Sequence, residues 1–260
     1  MGPTIVGKNE LAQKDDPQEF SLEASAHFAG RRPLINRSNL RDIIIIICLV
    51  SAILYELDWI RLMLSGALLV AGCFFHYMTK GVLIRNVVLC QSGTYGIVRH
   101  PYYMANYLID SSFCLLSGNV YLLLVYPVLF YWSYGPTIRQ EEATLAKLYH
   151  NQFLRYSLDV PQIFPDAYSI RSMKEIATGF SNQRITRNEI SRFMRFWATA
   201  CFIIFLHVFK KSNMGIIWPF NFKYIHDHSQ IVALLALTFS LFIASLFVRG
   251  KNNAATLKIE

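Results

Sequence analysis

Residues 43–79 read IIIIICLVSAILYELDWIRLMLSGALLVAGCFFHYMT, two apolar runs parted by Glu56, Leu57 and Asp58. Each run approaches the roughly 20 residues that a helix needs to cross the hydrocarbon of a bilayer. The acidic residues fall where the chain must turn, so the stretch reads as a tight helical hairpin in a membrane. Working outward, the apolar blocks are 43–57, 59–79, 102–117, 119–135, 193–209 and 229–248, and Gly118-Asn119 marks a second tight turn. Several blocks are short for a perpendicular span, and flanking aromatic and polar residues extend them into the headgroups. The expected fold is all-α: a polytopic integral membrane protein with about six transmembrane helices and cytoplasmic interfacial helices.

Composition agrees. Of 260 residues, 53% are hydrophobic and 16% charged, against about 25% charged in a soluble domain. Too little polar surface remains to enclose this apolar mass in water. Collagen, coiled coil, wholesale disorder and a secreted disulfide scaffold are excluded. Cys48, Cys73, Cys90, Cys114 and Cys201 are scattered, mostly inside apolar runs and never paired as CxxC. They read as small buried hydrophobes. The net charge of +8 gathers beside the apolar blocks, which favours anionic lipid headgroups over nucleic acid as a partner. The first forty residues are too polar for a signal peptide, so the chain is expected to be held by its own spans.

Four segments follow. Residues 1–41 form a cytoplasmic extension, in which Asp16-Pro17-Gln18-Glu19 has the pattern of a helix start; residues 17–29 are either a short interfacial helix or a loosely ordered tail. Residues 42–165 form the membrane core, 166–192 a basic connector, and 193–260 a C-terminal pair of spans with a tail. Thr186-Arg187-Asn188-Glu189 has a capping-box pattern ahead of the fifth span. With both termini cytoplasmic, nearly all Lys and Arg fall on one side, and only Arg61, Lys210, Lys211 and Lys223 fall opposite, as the positive-inside rule asks.

Two polar islands on that cytoplasmic side bracket the third and fourth spans. The first runs Ser92-Gly93-Thr94-Tyr95-Gly96-Ile97-Val98-Arg99-His100-Pro101-Tyr102-Tyr103. Its glycines permit a tight backbone path, and Pro101 can open the third span with Arg99 and His100 at its electropositive N-terminal end. The second, Arg139-Gln140-Glu141-Glu142, opens a helix running to about Leu158 on which Glu142, Leu145, Tyr149, Gln152 and Tyr156 share a face. Taken singly, the first is an arginine anchored to headgroups and the second a solvated acidic pair. Taken together, they are the entrance and exit of one hairpin, which returns the chain to the side it left and brings Arg99 and His100 close to the Glu pair.

Gly93 to Tyr103 resembles the Gly-x-Tyr-x-x-x-Arg-His-Pro-x-Tyr signature of the isoprenylcysteine carboxyl methyltransferases and the related membrane phospholipid methyltransferases. Glu141-Glu142, Leu145, Tyr149, Tyr156, Val160-Pro161 and Pro165 resemble that family's second signature, so the resemblance covers about residues 60–165. It implies a helical membrane enzyme that binds S-adenosylmethionine in a cytoplasm-facing pocket and methylates a lipid-borne acceptor. Carried across, cofactor contacts fall on Tyr95, His100, Pro101, Tyr103, Glu141 and Glu142, and the catalytic set is Arg99, Glu141 and Glu142, with Arg99 orienting the acceptor. No metal is required. Arg99 can hold a carboxylate in a bidentate fork; an amine acceptor would need Glu141, Glu142 or His100 as base.

Two positions depart from the family pattern: Ala105 and His150 stand where glycine is usual. The acceptor stays open between a prenylcysteine carboxylate, a phospholipid amine and another amphiphile, and the membrane between a bacterial inner membrane and the endoplasmic reticulum. The rivals are an NADPH-dependent sterol or steroid reductase and an inactive scaffold. His226-Asp227-His228 suggests a metal only weakly, having no further ligands at recognisable spacing. His76 and His207, within apolar runs, read as paired interior residues.

Overall fold

A computed structural model of the chain describes residues 37–83, 89–211 and 229–256. The expected helix at 17–29, the His226-Asp227-His228 run, Arg85 and Lys223 lie outside them. Among the described residues there is no strand. The helices are α1 (Arg37–Leu54), α2 (Trp59–Val82), α3 (Pro101–Leu116), α4 (Val120–Asp159), α5 (Arg187–Lys211) and α6 (Ser229–Thr256), with 3-10 turns at Gly93–Gly96, Ser169–Glu175 and Asn182–Arg184.

The two hairpin turns form where acidic and glycine residues place them. Asp58 caps α2, accepting from the Arg61 amide at 2.8 Å. Asn119 caps α4, accepting from the amides of Tyr121 and Leu122 at 3.1 and 3.3 Å. Gly118 has φ of 76°, a left-handed conformation that glycine adopts without strain, and a Cβ there would lie 2.7 Å from the Glu56 carbonyl oxygen. The turns therefore touch, and Arg61 Nη1 ties them by donating to the Gly118 carbonyl at 2.8 Å. Lys210, near the end of α5, reaches the Leu54 carbonyl at 3.4 Å. These groups lie at one end of the helices; both polar islands lie at the other.

Among the described residues three helices, α2, α5 and the Ser229–Arg249 part of α6, are long and apolar enough to cross a membrane. The other expected spans take different forms. Helix α1 is an 18-residue helix carrying Arg41 and Asp42. Helix α3 has 16 residues, about 24 Å of rise, short of a hydrocarbon core of about 30 Å. Helix α4 has 40 residues but is broken at His150; its unbroken part, 120–149, is about 45 Å long and joins the block 119–135 to the first half of the helix expected from Arg139 to Leu158.

Helix α1 buries Leu40, Ile44, Cys48 and Ala52, spaced by four along one face, and leaves Ile46, Val50 and Ile53 exposed. Helices α2, α4 and α6 likewise expose Ile60, Leu64, Leu124, Val128, Trp132, Phe239, Phe242 and Phe247. An apolar surface of this extent is suited to lipid. Inside, Asp110 of α3 accepts from Arg41 Nε and Nη2 at 2.8 and 3.1 Å and from the Tyr126 hydroxyl at 2.9 Å. His207 pairs with the Leu116 carbonyl at 3.0 Å.

The connector is folded. Ser181 donates its amide to the Gly81 carbonyl at 2.9 Å, and Arg184 Nη1 bonds the Gly81 and Val82 carbonyls at 2.9 and 3.1 Å, closing the carbonyl end of α2.

Candidate functional site

The first island wraps into a 3-10 turn, Gly93–Gly96. Gly93 has φ of 60°, and a Cβ there would lie 2.8 Å from the Thr178 carbonyl oxygen and 2.9 Å from Val82. The connector thus roofs the turn, and only glycine fits beneath it. Beyond the turn the backbone pairs with the chain leaving α4: Arg99 N donates to the Pro161 carbonyl at 2.8 Å and His100 N to the Gln162 carbonyl at 2.9 Å. Pro101 occupies the first turn of α3, where its missing N–H costs nothing.

The side chains then meet. Glu142 Oε1 lies 3.0 Å from Arg99 Nε and 3.1 Å from His100 Nε2, and Glu142 Oε2 accepts from Gln162 Nε2 at 2.9 Å. Arg99 Nη1 donates to the carbonyls of Ser157 at 2.5 Å and Val160 at 2.8 Å. Tyr103 donates its hydroxyl to Glu141 Oε1 at 2.5 Å, and Glu141 Oε2 stands 3.8 Å from His100 Nδ1. The His100 and Tyr103 rings stack at 5.7 Å. Tyr95 enters through its carbonyl, which accepts from the Tyr156 hydroxyl at 2.7 Å.

The two glutamates differ in what is left to them. The Glu142 side chain is 19% exposed and ringed by donors; that of Glu141 is 46% exposed with one hydroxyl on it. Burial pushes the Glu142 carboxyl up, but the bond to His100 and the charges of Arg99 and His100 outweigh it and hold its pKa below the ordinary value. Burial pushes the Tyr156 phenol up, so its hydroxyl stays a donor. Arg99 is not an open fork: Nε and Nη1 are committed to Glu142 and to two carbonyls, and an incoming carboxylate would meet Nη2 first.

The structure thus brings Arg99, His100, Pro101, Tyr103, Glu141 and Glu142 together, with Tyr95 attached through its backbone. The parts played by Gln162, Ser157 and the roof at Thr178 are not among the sequence expectations, and Val160, a member of the second motif, enters through its carbonyl. Gln162 is a polar residue in a proline-bounded stretch beside Val160-Pro161, which is a usable signal; backbone carbonyls leave none. A cleft of about 500 Å³, lined by Gln91, Asn151, Gln152, Arg155, Tyr156, Asp159 and Val160, adjoins the cluster. It shares Tyr156 and Val160 with it, but none of the clustered carboxylates or Arg99 lines it. His150 breaks α4 with φ of 41° and ψ of −122°, a backbone conformation suited to glycine. Among the described residues no three His, Cys, Asp or Glu side chains converge as metal ligands.

A charged acceptor for an ammonium group (Glu141), an imidazole, phenol rings and an electropositive helix start form a donor set that suits an amino-acid sulfonium such as S-adenosylmethionine. No family model and no solved structure matches the chain. It is similar to the protein-S-isoprenylcysteine O-methyltransferase of Schizosaccharomyces pombe, 26% identical over 101 residues. That likeness takes in 39% of this chain and 43% of the yeast protein's length, and it supports a membrane methyltransferase reading without showing the substrate.

Proposed function

We propose that the chain is an S-adenosylmethionine-dependent methyltransferase of the membrane acting on a lipid-borne acceptor, with carboxyl methylation of a prenylated cysteine as the favoured reaction. What carries the reading is the meeting of the Arg99-His100-Pro101 start of α3 with Glu141-Glu142, which leaves one carboxylate buried in a network and the other half open. Bound S-adenosylmethionine would supply a methyl group on a sulfonium. The protein positions and desolvates the reactants, which can account for several kcal/mol of the barrier. Glu141, oriented by Tyr103, pairs with the cofactor's ammonium group, and His100 and Tyr103 form a wall of its pocket. Glu142 holds Arg99 and His100 in place, and Arg99 offers Nη2 to the acceptor. A carboxylate acceptor needs no base; a phospholipid amine would have to lose a proton first, and Glu141 is the more exposed carboxylate for that task.

In this reading α1, α3 and α4 complete six crossings, both termini and the site face the cytoplasm, and the acceptor reaches the site from the lipid. The membrane is a bacterial inner membrane or the endoplasmic reticulum, and Arg139, Lys147 and Arg155 along the outer half of α4 rest on anionic headgroups. Calorimetry of the purified chain tests the reading: S-adenosylmethionine and S-adenosylhomocysteine should bind and NADPH should not. Binding of NADPH alone would replace it with a reductase, and binding of none of the three with a scaffold.

A further inference from the structure

One residue before Tyr103, and about 100° round the helix, a second polar cluster joins α2, α3 and α5. Glu189 of α5, only 6% exposed, accepts from Lys80 Nζ of α2 at 3.0 Å and from Arg192 Nη1 at 3.1 Å. Its carboxylate does not turn back to cap α5, as the Thr186 to Glu189 pattern suggests. Its Oε2 lies 3.8 Å from Nδ1 of His76, a fully buried ring neither of whose nitrogens makes a hydrogen bond among the described residues.

These groups converge on Tyr102. Arg192 Nη1 donates to its hydroxyl, the Lys80 ammonium stands 5.0 Å from its ring centre, and the His76 ring packs on it at 4.5 Å. Packing alone does not call for this arrangement, because a buried carboxylate with its cations is often no more stabilising than apolar side chains of the same volume. Its consequence lies in where Tyr102 stands. It is next to Tyr103, in the first turn of α3, so fixing it fixes the rotation of that turn and the directions of the His100 ring and the Tyr103 hydroxyl. His100, ahead of the turn, makes no side-chain capping bond, and Pro101 has no N–H to donate.

We propose that Arg192, held by Glu189, is a positioning residue for methyl transfer: through Tyr102 it sets the first turn of α3, and with it His100 and Tyr103. The inference rests on the methyltransferase reading and adds to it α5, which lies outside both motifs.

Tyr102→Phe is the sharpest test, since it removes only the hydroxyl that Arg192 reaches and keeps the ring against Lys80 and His76. The purified full-length chain, the variants Tyr102→Phe, Arg192→Met and Arg192→Lys, and the double variant Tyr102→Phe/Arg192→Met are titrated with S-adenosylmethionine by calorimetry and unfolded by heat. Tyr102→Phe and Arg192→Met should each raise the cofactor Kd about tenfold, the scale of one cofactor hydrogen bond forfeited when the first turn of α3 is no longer held in place. The double variant should be no weaker than the worse single, because the two losses are one interaction. Arg192→Lys, which still donates to the hydroxyl, should recover most of the affinity. The Tm of Tyr102→Phe should stay within about 3 °C, whereas Arg192→Met, which also takes one cation from the buried Glu189, should lower it as well; a merely structural contact would lower Tm in Tyr102→Phe and leave the Kd of the folded protein alone. A Kd within about twofold of wild type in Tyr102→Phe, or losses that multiply in the double variant, overturns the inference and leaves the methyltransferase reading standing. Absence of S-adenosylmethionine binding by the wild-type chain overturns both.

Discussion

Arg99 is turned toward the protein by Glu142: its Nε lies 3.0 Å from Glu142 Oε1 while Nη1 bonds the Ser157 and Val160 carbonyls. The guanidinium joins the loop before α3 both to Glu142 within α4 and to the end of that helix, by three bonds. Lysine keeps the charge but has no planar fork and can serve only part of this set. For Arg99→Lys we expect a fall of roughly ten- to hundredfold in kcat/KM for a lipid acceptor, corresponding to about 1.5–3 kcal/mol, with S-adenosylmethionine affinity largely kept. Turnover within about twofold of wild type would make Arg99 a structural tie that does not touch the acceptor.

The glutamates should separate by what each substitution disturbs. Glu141→Gln removes a half-exposed charge whose hydrogen bond comes from the Tyr103 hydroxyl and whose contact with His100 is long, at 3.8 Å, so cofactor affinity should fall while Tm hardly moves. Glu142→Gln leaves Arg99 and His100 without their shared carboxylate, and stability should fall by about 2 kcal/mol, the scale for hydrogen bonds to charged groups. Calorimetry and thermal unfolding of both variants check the split; equal effects on both readouts would merge the two roles.

Acid should expose the same network. The Glu142 pKa is depressed in the folded protein, so its stabilisation is present in full above the unfolded value of about 4.3 and is lost as pH falls through the folded one. The Tm gap between wild type and Glu142→Gln should therefore be widest above the unfolded value and narrow as pH falls below it. A gap that stays constant over that range would place the ionisation elsewhere.

Much of this was legible. Apolar blocks and turn residues located the hairpins because a turn needs caps and a left-handed glycine, as at Asp58, Gly118 and Asn119. The islands were legible because a hairpin returns to its own side. Three things were not. Helix α4 carries no break between its apolar and charged halves, since Arg139-Gln140-Glu141-Glu142 are all good helix formers. The commitment of Arg99 to backbone carbonyls has no sequence signal. Glu189 has the spacing of a capping residue, and only the approach of α2 diverts it to Lys80.

His150 holds a positive φ within α4, at a position where the family it resembles usually has glycine. A bulky residue there carries strain of order 1–3 kcal/mol. His150→Gly should raise stability by about 1 kcal/mol, read as a Tm increase of about 2–4 °C. A lower Tm would mean that the imidazole contributes more than its backbone costs.

Asp110 and Arg41 make the most demanding case, because both sit among the helices with little water to replace a lost partner. Asp110 is 2% exposed and takes both Arg41 donors and the Tyr126 hydroxyl, while Arg41 also reaches Asn106 at 3.0 Å. Asp110→Asn would leave a guanidinium without its counter-charge, a loss of about 3–5 kcal/mol for a buried pair. Removing both charges is different: Arg41→Leu with Asp110→Leu exchanges an ion pair for apolar contact of similar bulk, which in buried sites is often neutral. The Tm order should be wild type near or above the double variant, and the double variant above either single. A double variant less stable than both singles would show that Asn106 and Tyr126 depend on the pair, and that the cluster acts as one polar unit.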